Sequence, residues 1–235
     1  MIDKKLVFAI IPARGGSKGI KKKNLKKIGN KSLLKHAIDC AKKSKYIDKI
    51  IVSSDDKEII NEAKKNKTEI HFRNKILSSD NSPVIKTIKN IWAKKRNSAL
   101  NSIFVLLEPT SPFRSSDLVD KCIKRLIHEN LDSIATFSEA KSNPERLWMI
   151  NKLNPKHFYN DKIVWKQRQN LKSYYELNGQ VYCFYPEKLP KKENNILFGK
   201  KSAEIVSNKG IIDIDDYFDL FLANAVFKSR KFTIN

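Results

Sequence analysis

The chain has little of what usually announces a function. Its 235 residues include three cysteines, seven glycines and four histidines. Cys40, Cys122 and Cys183 are far apart and make no C-x-x-C pair, which excludes a disulfide framework and a zinc ribbon. Each lies in an apolar pattern and reads as a small core residue in a reducing compartment. The histidines, His36, His71, His128 and His157, show no metal spacing, and H-E-x-x-H does not occur. No histidine base and no serine nucleophile is assigned. No apolar run approaches membrane-spanning length. Residues 6–11 could mimic a signal segment, but the run is short, ends at Pro12 and lacks a small-residue cleavage site. A soluble, cytoplasmic protein without a membrane partner is expected.

Acidic residues are scarce as well: 25 Asp and Glu stand against 47 Lys and Arg, a formal charge of +22. A field of that sign attracts polyanions. The lysines are dispersed, however, and pairs such as Lys42–Lys43, Lys64–Lys65 and Lys94–Lys95 fall toward the ends of amphipathic patterns. Cations suit helix C-termini. The charge reads as solvated surface, and no nucleic-acid partner is expected.

What is present is alternation. Apolar runs at 6–11, 49–53, 69–72, 102–107 and 132–137 read as strands. Between them lie helical patterns: one carries Leu33, Leu34, Ala37, Ile38 and Ala41, another Ile59, Ile60 and Ala63 behind a cap at Asp55 or Asp56. Residues 84–93 follow Pro83, and a further helix after Ser115 or Ser116 presents Leu118, Val119, Cys122, Ile123, Leu126 and Ile127. Such alternation implies an α/β fold with a mostly parallel sheet and helices on both faces. Ligands then bind beyond the carboxyl ends of the strands. From about residue 143 to 175 the chain is polar and aromatic without a period, and reads as an arm or hairpin inserted in a single domain spanning 1–235. Residues 180–185 form another strand. The last helix, over 213–228, turns Tyr217, Leu220, Phe221 and Ala225 inward.

The segment Arg14–Asn24, RGGSKGIKKKN, follows the first strand directly. Glycines let backbone N–H groups approach an anion, while Arg, Lys and Ser neutralise it and donate to it. These are the parts of a phosphate cradle. The spacing is that of neither a Walker A loop nor G-x-G-x-x-G.

This segment, with the preceding Ile-Pro-Ala, resembles the N-terminal signature of the N-acylneuraminate (sialic acid) cytidylyltransferases. LLEPTSPFR (106–114), ELNGQVY (176–182) and DIDDYFDL (213–220) continue the resemblance in order over nearly the whole chain. It implies a Rossmann-like fold, a homodimer, and Mg²⁺-dependent reaction of CTP with a nine-carbon 2-keto sugar acid to give the CMP-sugar and pyrophosphate. Carried over by motif, Arg14, Ser17, Lys18, Lys23 and Asn24 hold CTP, with Arg14 and Lys23 acting on the transferred phosphate. Arg73 matches a family arginine near the cytidine. Ser82 matches the same region, though a helix cap before Pro83 explains it equally. Glu108 stands where sialic acid synthetases commonly have a Gln that contacts the sugar. A carboxylate accepts but does not donate, so the identity of the sugar stays open. Asp213 and Asp215 match the metal pair, since side chains at i and i+2 of an extended segment share a face; Asp216 caps the helix that follows. Arg168 resembles an arginine that crosses the dimer to the sugar carboxylate, a suitable bidentate pairing. Arg146 matches a family lysine near the sugar, and Asn178, before Gly179, enters the strand lining the sugar pocket or simply makes a turn. An eight-carbon keto sugar acid as acceptor, and a basic nucleic-acid-binding protein, are the alternatives.

Overall fold

The computed structural model describes residues 2–17, 19–97, 100–159, 165–192 and 194–229. In chain order the strands and helices are β1 (Leu6–Pro12), β2 (Lys27–Ile28), β3 (Lys31–Ser32), α1 (Leu33–Lys43), β4 (Lys49–Ser54), α2 (Lys57–Lys65), β5 (Glu69–Phe72) and α3 (Lys75–Ser78). Then come α4 (Val84–Lys95), β6 (Ser102–Leu106), α5 (Ser116–His128), β7 (Ser133–Glu139), β8 (Trp148–Asn151), β9 (Asn154–His157), β10 (Tyr175–Phe184), β11 (Lys201–Ile205) and α6 (Tyr217–Ser229).

Seven strands form one sheet in the order β11-β7-β10-β6-β1-β4-β5. β1 runs parallel to β4 and β6, and β4 to β5. β10 alone is reversed, antiparallel to both β6 and β7. The apolar runs are continuous because both faces are covered. Along β1, Val7, Ala9 and Ile11 pack against Leu34, Ala37, Ile59 and Val119 from α1, α2 and α5. Phe8 and Ile10 point to the other face and meet Ile88 and Ile91 of α4 with Phe104 and Phe184. Strand periodicity thus divides one segment between two cores. The three cysteines are free and buried, as core residues.

Local chemistry sets the helix starts. Asp56 caps α2 by accepting from the Glu58 and Ile59 amides, and Ser115 caps α5 by accepting from Leu118. Asp216 and Asp219 cap α6 reciprocally: the Asp219 amide donates to Asp216 Oδ1, and the Asp216 amide to Asp219 Oδ2.

The inward face of α6 differs from the expected one. Tyr217 and Phe221 are 58% and 70% exposed. Leu220 and Ala223 pack on Ile20, Ile28, Leu33 and Ile214 instead. Asn224 is hydrogen-bonded to Gly29 and Lys27 at the β2–β3 hairpin, and the Phe227 ring lies over Gly29. Small residues at 223 and 224 permit this close approach, which fixes the rotation of a helix that is apolar nearly all round.

A second difference lies at Asn178-Gly179. The strand begins at Tyr175 rather than Gln180, and the dipeptide sits inside it, where the register against β7 shifts between Leu177 and Tyr182. Gly179 has φ +71°, so the Asn-Gly pair builds a bulge and not a turn. Residues 148–157 form a separate hairpin whose Trp148, Met149, Ile150 and Leu153 are exposed.

Candidate active site

The loops after β1, β5 and β6 and the segment before α6 enclose a cleft of about 520 Å³. Arg14, Ser17, Lys23, Asn24, Arg73, Ser82, Glu108, Asp213 and Asp215 all line it. Four segments far apart in the chain thus meet at one place, three of them motifs of the resemblance and the fourth the stretch over residues 73–84.

The loop after β1 is fixed by its backbone. The Asn24 side-chain amide donates to the Arg14 carbonyl at 2.9 Å, and the Gly15 amide donates to Asp55 Oδ1 at 2.9 Å. Gly19 lies against the Asp215 backbone: a Cβ there would stand 2.2 Å from the Asp215 carbonyl oxygen. Two of the three expected loop cations are engaged within the protein. Arg14 pairs with Asp80 at 3.0 Å and donates to the Ser79 carbonyl, while Lys23 pairs with Asp215 at 2.9 Å. Lys18 lies outside the described residues.

Arg73 follows β5 at the sheet edge. Burial pulls its guanidinium down to about 10, opposed by the Asp55 charge, with the Arg14 cation adding to the depression. Its Nε donates to Ser53 Oγ at 2.9 Å. Ser82 does not cap α4: Pro83 occupies that position, and the buried Ser82 hydroxyl has no hydrogen-bond partner among the described residues.

At the opposite end, carboxylates gather. The Ile214 amide donates to the Thr110 carbonyl, docking the D-I-D segment on the loop after β6. Ile214 is buried, so Asp213 and Asp215 share the opposite, cleft-facing side. A Cβ on Gly179 would stand 3.2 Å from both Glu108 Oε2 and Ser111 Oγ, and 4.0 Å from Asp213 Oδ2. Glu108 is pushed up to about 7, first by burial and then by the Asp213 charge; Arg114 and Lys23 oppose the shift.

Arg114 closes the motif LLEPTSPFR, but composition gave it no role. It is buried, and its guanidinium donates to the Glu108 and Gln180 carbonyls, tying the loop after β6 to the β10 bulge. A charged residue ending a run of apolar and proline positions was the available signal.

Among the described residues no three His, Cys, Asp or Glu side chains form a metal cage. Two carboxylates beside a third that resists ionisation fit a hard divalent cation, which takes its remaining oxygens from phosphate and water. Asp213 and Asp215 are the residues that would hold it.

Other expected residues lie elsewhere. Asn178 is buried; its Oδ1 accepts from Thr136 Oγ1 at 2.6 Å and from the Gln180 amide, while its Nδ2 is unpartnered among the described residues. Arg146 lines a separate pocket with Glu139, Asn143 and Tyr174 and donates to the Lys166 carbonyl. Arg168 begins a short 3-10 turn, and its side chain lies outside the description.

A mostly parallel α/β sheet with a basic glycine loop and a carboxylate pair at its strand ends defines a nucleotidyltransferase. Residues 8–199 match the cytidylyltransferase family, and the chain belongs to it. It is thus a CTP-dependent nucleotidyltransferase. The chain is 28% identical over 223 residues to a pseudaminic acid cytidylyltransferase from Campylobacter jejuni, covering 94% of this chain and 96% of the relative. It is 28% identical over 234 residues to a CMP-N,N′-diacetyllegionaminic acid synthase from Legionella pneumophila, covering 96% and 97%. A solved CMP:2-keto-3-deoxy-manno-octonic acid synthetase complexed with CTP superposes with a TM-score of 0.71 at 14% identity, over 96% of this chain and 100% of that one, a likeness of fold.

Proposed function

We propose that the protein transfers the cytidylyl group of CTP to a nonulosonic acid, releasing pyrophosphate, with Mg²⁺ as the metal. The observation that carries this reading is the meeting of the β1 loop cations with Asp213 and Asp215 in one cleft. The relatives named for pseudaminic and legionaminic acids support a nine-carbon acceptor.

In this reading Arg14, Ser17, Lys18 and Lys23 hold the triphosphate and offset the charge that gathers at the α-phosphorus. Asn24 braces the loop. The anomeric hydroxyl attacks the α-phosphorus and loses its proton, and the bond to the β-phosphate oxygen breaks. Mg²⁺ on Asp213 and Asp215 would polarise the α-phosphate. Glu108, beside the Gly179 bulge braced by Asn178, accepts from donors on the acceptor sugar. Arg146 and Arg168 belong to an insertion at about 143–175 in a single nucleotidyltransferase domain. Arg146 lines a pocket separate from the cleft of its own chain, which supports a homodimer in which the insertion serves the partner's acceptor site. The buried free thiols support a cytoplasmic setting. Among the described residues no helix is long and apolar enough to cross a membrane.

Pyrophosphate release from CTP and Mg²⁺ tests the reading against sialic, legionaminic and pseudaminic acids and an eight-carbon keto sugar acid. Release with a nine-carbon acid is expected. Release with the eight-carbon acid alone overturns the acceptor class, and failure to bind CTP overturns the donor.

A further inference from the structure

A row of inward-facing side chains stands behind Arg73 and serves no step above. Arg73 Nε donates to Ser53 Oγ at 2.9 Å, Ser53 Oγ lies 2.8 Å from His71 Nδ1, and His71 Nε2 lies 2.8 Å from Asn90 Oδ1. The directions follow from the two ends. The Asn90 carbonyl oxygen only accepts, so His71 Nε2 carries the ring proton and donates to it, which leaves Nδ1 of a neutral ring bare. Ser53 therefore donates its proton to Nδ1 while its oxygen accepts from the Arg73 guanidinium, which only donates. Burial holds His71 below the usual imidazole range, in keeping with a neutral ring. Ser53 is fully buried and His71 is 6% exposed. The row spans β4, β5 and α4, three elements that pin it independently.

Only Nε of Arg73 is used: its two terminal nitrogens take no hydrogen bond among the described residues, and the residue lines the cleft. The strand order places Arg73, after β5, at the end away from Glu108, after β6, with the phosphate loop between them after β1. Pro12, Val84 and the unpartnered Ser82 hydroxyl complete the cleft lining there.

We propose that Ser53, His71 and Asn90 are positioning residues that hold the Arg73 guanidinium in one plane, so that its free nitrogens pair with the acceptor edge of cytosine and reject uracil. The inference rests on the cytidylyltransferase reading above. Cytosine presents O2 and N3 side by side, both acceptors. Uracil presents the O2 acceptor beside an N3–H donor. A rigid fork of two donors matches the first and opposes a donor with a donor in the second. A guanidinium free to tilt satisfies O2 alone in either base, and the distinction fades.

The test is calorimetric titration of the full chain, with Mg²⁺ present, by CTP, UTP and tripolyphosphate. The wild-type chain is expected to bind CTP at least about tenfold more tightly than UTP, the scale of one charge-assisted hydrogen bond. Ser53→Ala is expected to weaken CTP by about tenfold while UTP and tripolyphosphate stay within about twofold. His71→Leu follows Ser53→Ala. His71→Asn, whose Oδ1 can accept from Ser53 as Nδ1 does, retains most of the preference. A CTP-to-UTP ratio unchanged in a folded Ser53→Ala protein overturns the relay. So does equal weakening of tripolyphosphate, which would mark general loosening. A wild-type chain that binds CTP and UTP equally overturns base selection and leaves the donor reading standing, whereas one that binds neither removes both.

Discussion

The two ends of the cleft are built differently. The end proposed for the nucleotide comes from the carboxyl ends of parallel strands β1, β4 and β5, and its side chains are cations: Arg14, Lys23 and Arg73. The other end comes from the loop after β6, the bulge of the reversed strand β10 and the D-I-D segment, and it is acidic: Glu108, Asp213 and Asp215. Both proposed substrates are anions, so only the first end complements them by itself. The second needs a cation of its own before a phosphate or a sugar carboxylate can settle there, and the proposed divalent ion would supply it.

Asp213→Asn bears most heavily on this contrast. It should lower pyrophosphate release by about 100-fold or more, the scale of removing one electrostatic stabiliser of a transition state. CTP binding measured without metal should change little. If it falls as far as turnover does, the two ends are not separable. Gly19→Ala strikes the point where they touch. Its Cβ cannot share space with the Asp215 carbonyl oxygen 2.2 Å away. Nucleotide affinity and the metal concentration for half-maximal activity should both worsen by about tenfold, the size of a moderate overpacking error. Loss of only one would show that the contact is slack.

Glu108→Gln sharpens the contrast through pH. A carboxyl raised to about 7 in the folded chain from 4.5 contributes stability that is fully present below the unfolded value and is lost as pH rises through about 7. Metal-free wild-type protein should therefore lose about 3 kcal/mol relative to Glu108→Gln between pH 4.5 and 8, read by denaturant titration at each pH. Equal profiles would mean that neither burial nor the Asp213 charge raises Glu108 in the folded chain.

The parallel half was legible because its signals are local. The runs that form β1 and β6, and residues 50–52 within β4, are continuously apolar, as strands buried on both faces must be. The loop that follows β1 carries its chemistry in eleven consecutive residues, Arg14–Asn24. The other half was less so. Asn178-Gly179 has the composition of a hairpin turn, and only pairing with β7 shows it to be a bulge. The face of α6 could not be read because apolar residues surround the helix, and Asn224 with Gly29 decides its rotation. Arg114 and the Ser53–His71–Asn90 row act through contacts between segments distant in sequence, which no spacing rule encodes.

The resting ion pairs of the cleft have a consequence for what it admits. Arg14 rests on Asp80 and Lys23 on Asp215, with Asp215 largely and Asp80 about half open to water. Exposed pairs of this kind are worth at most about 1 kcal/mol and exchange readily. A visiting anion must still displace a carboxylate for each contact it gains. A chloride or a lone phosphate meets cations that already have company, whereas a triphosphate reaches both at once and gains through their joint grip. Under the proposed function the loop thus counts charges before Arg73 meets a base: a turnstile for polyanions, released by the same event that would free Asp215 for the proposed metal.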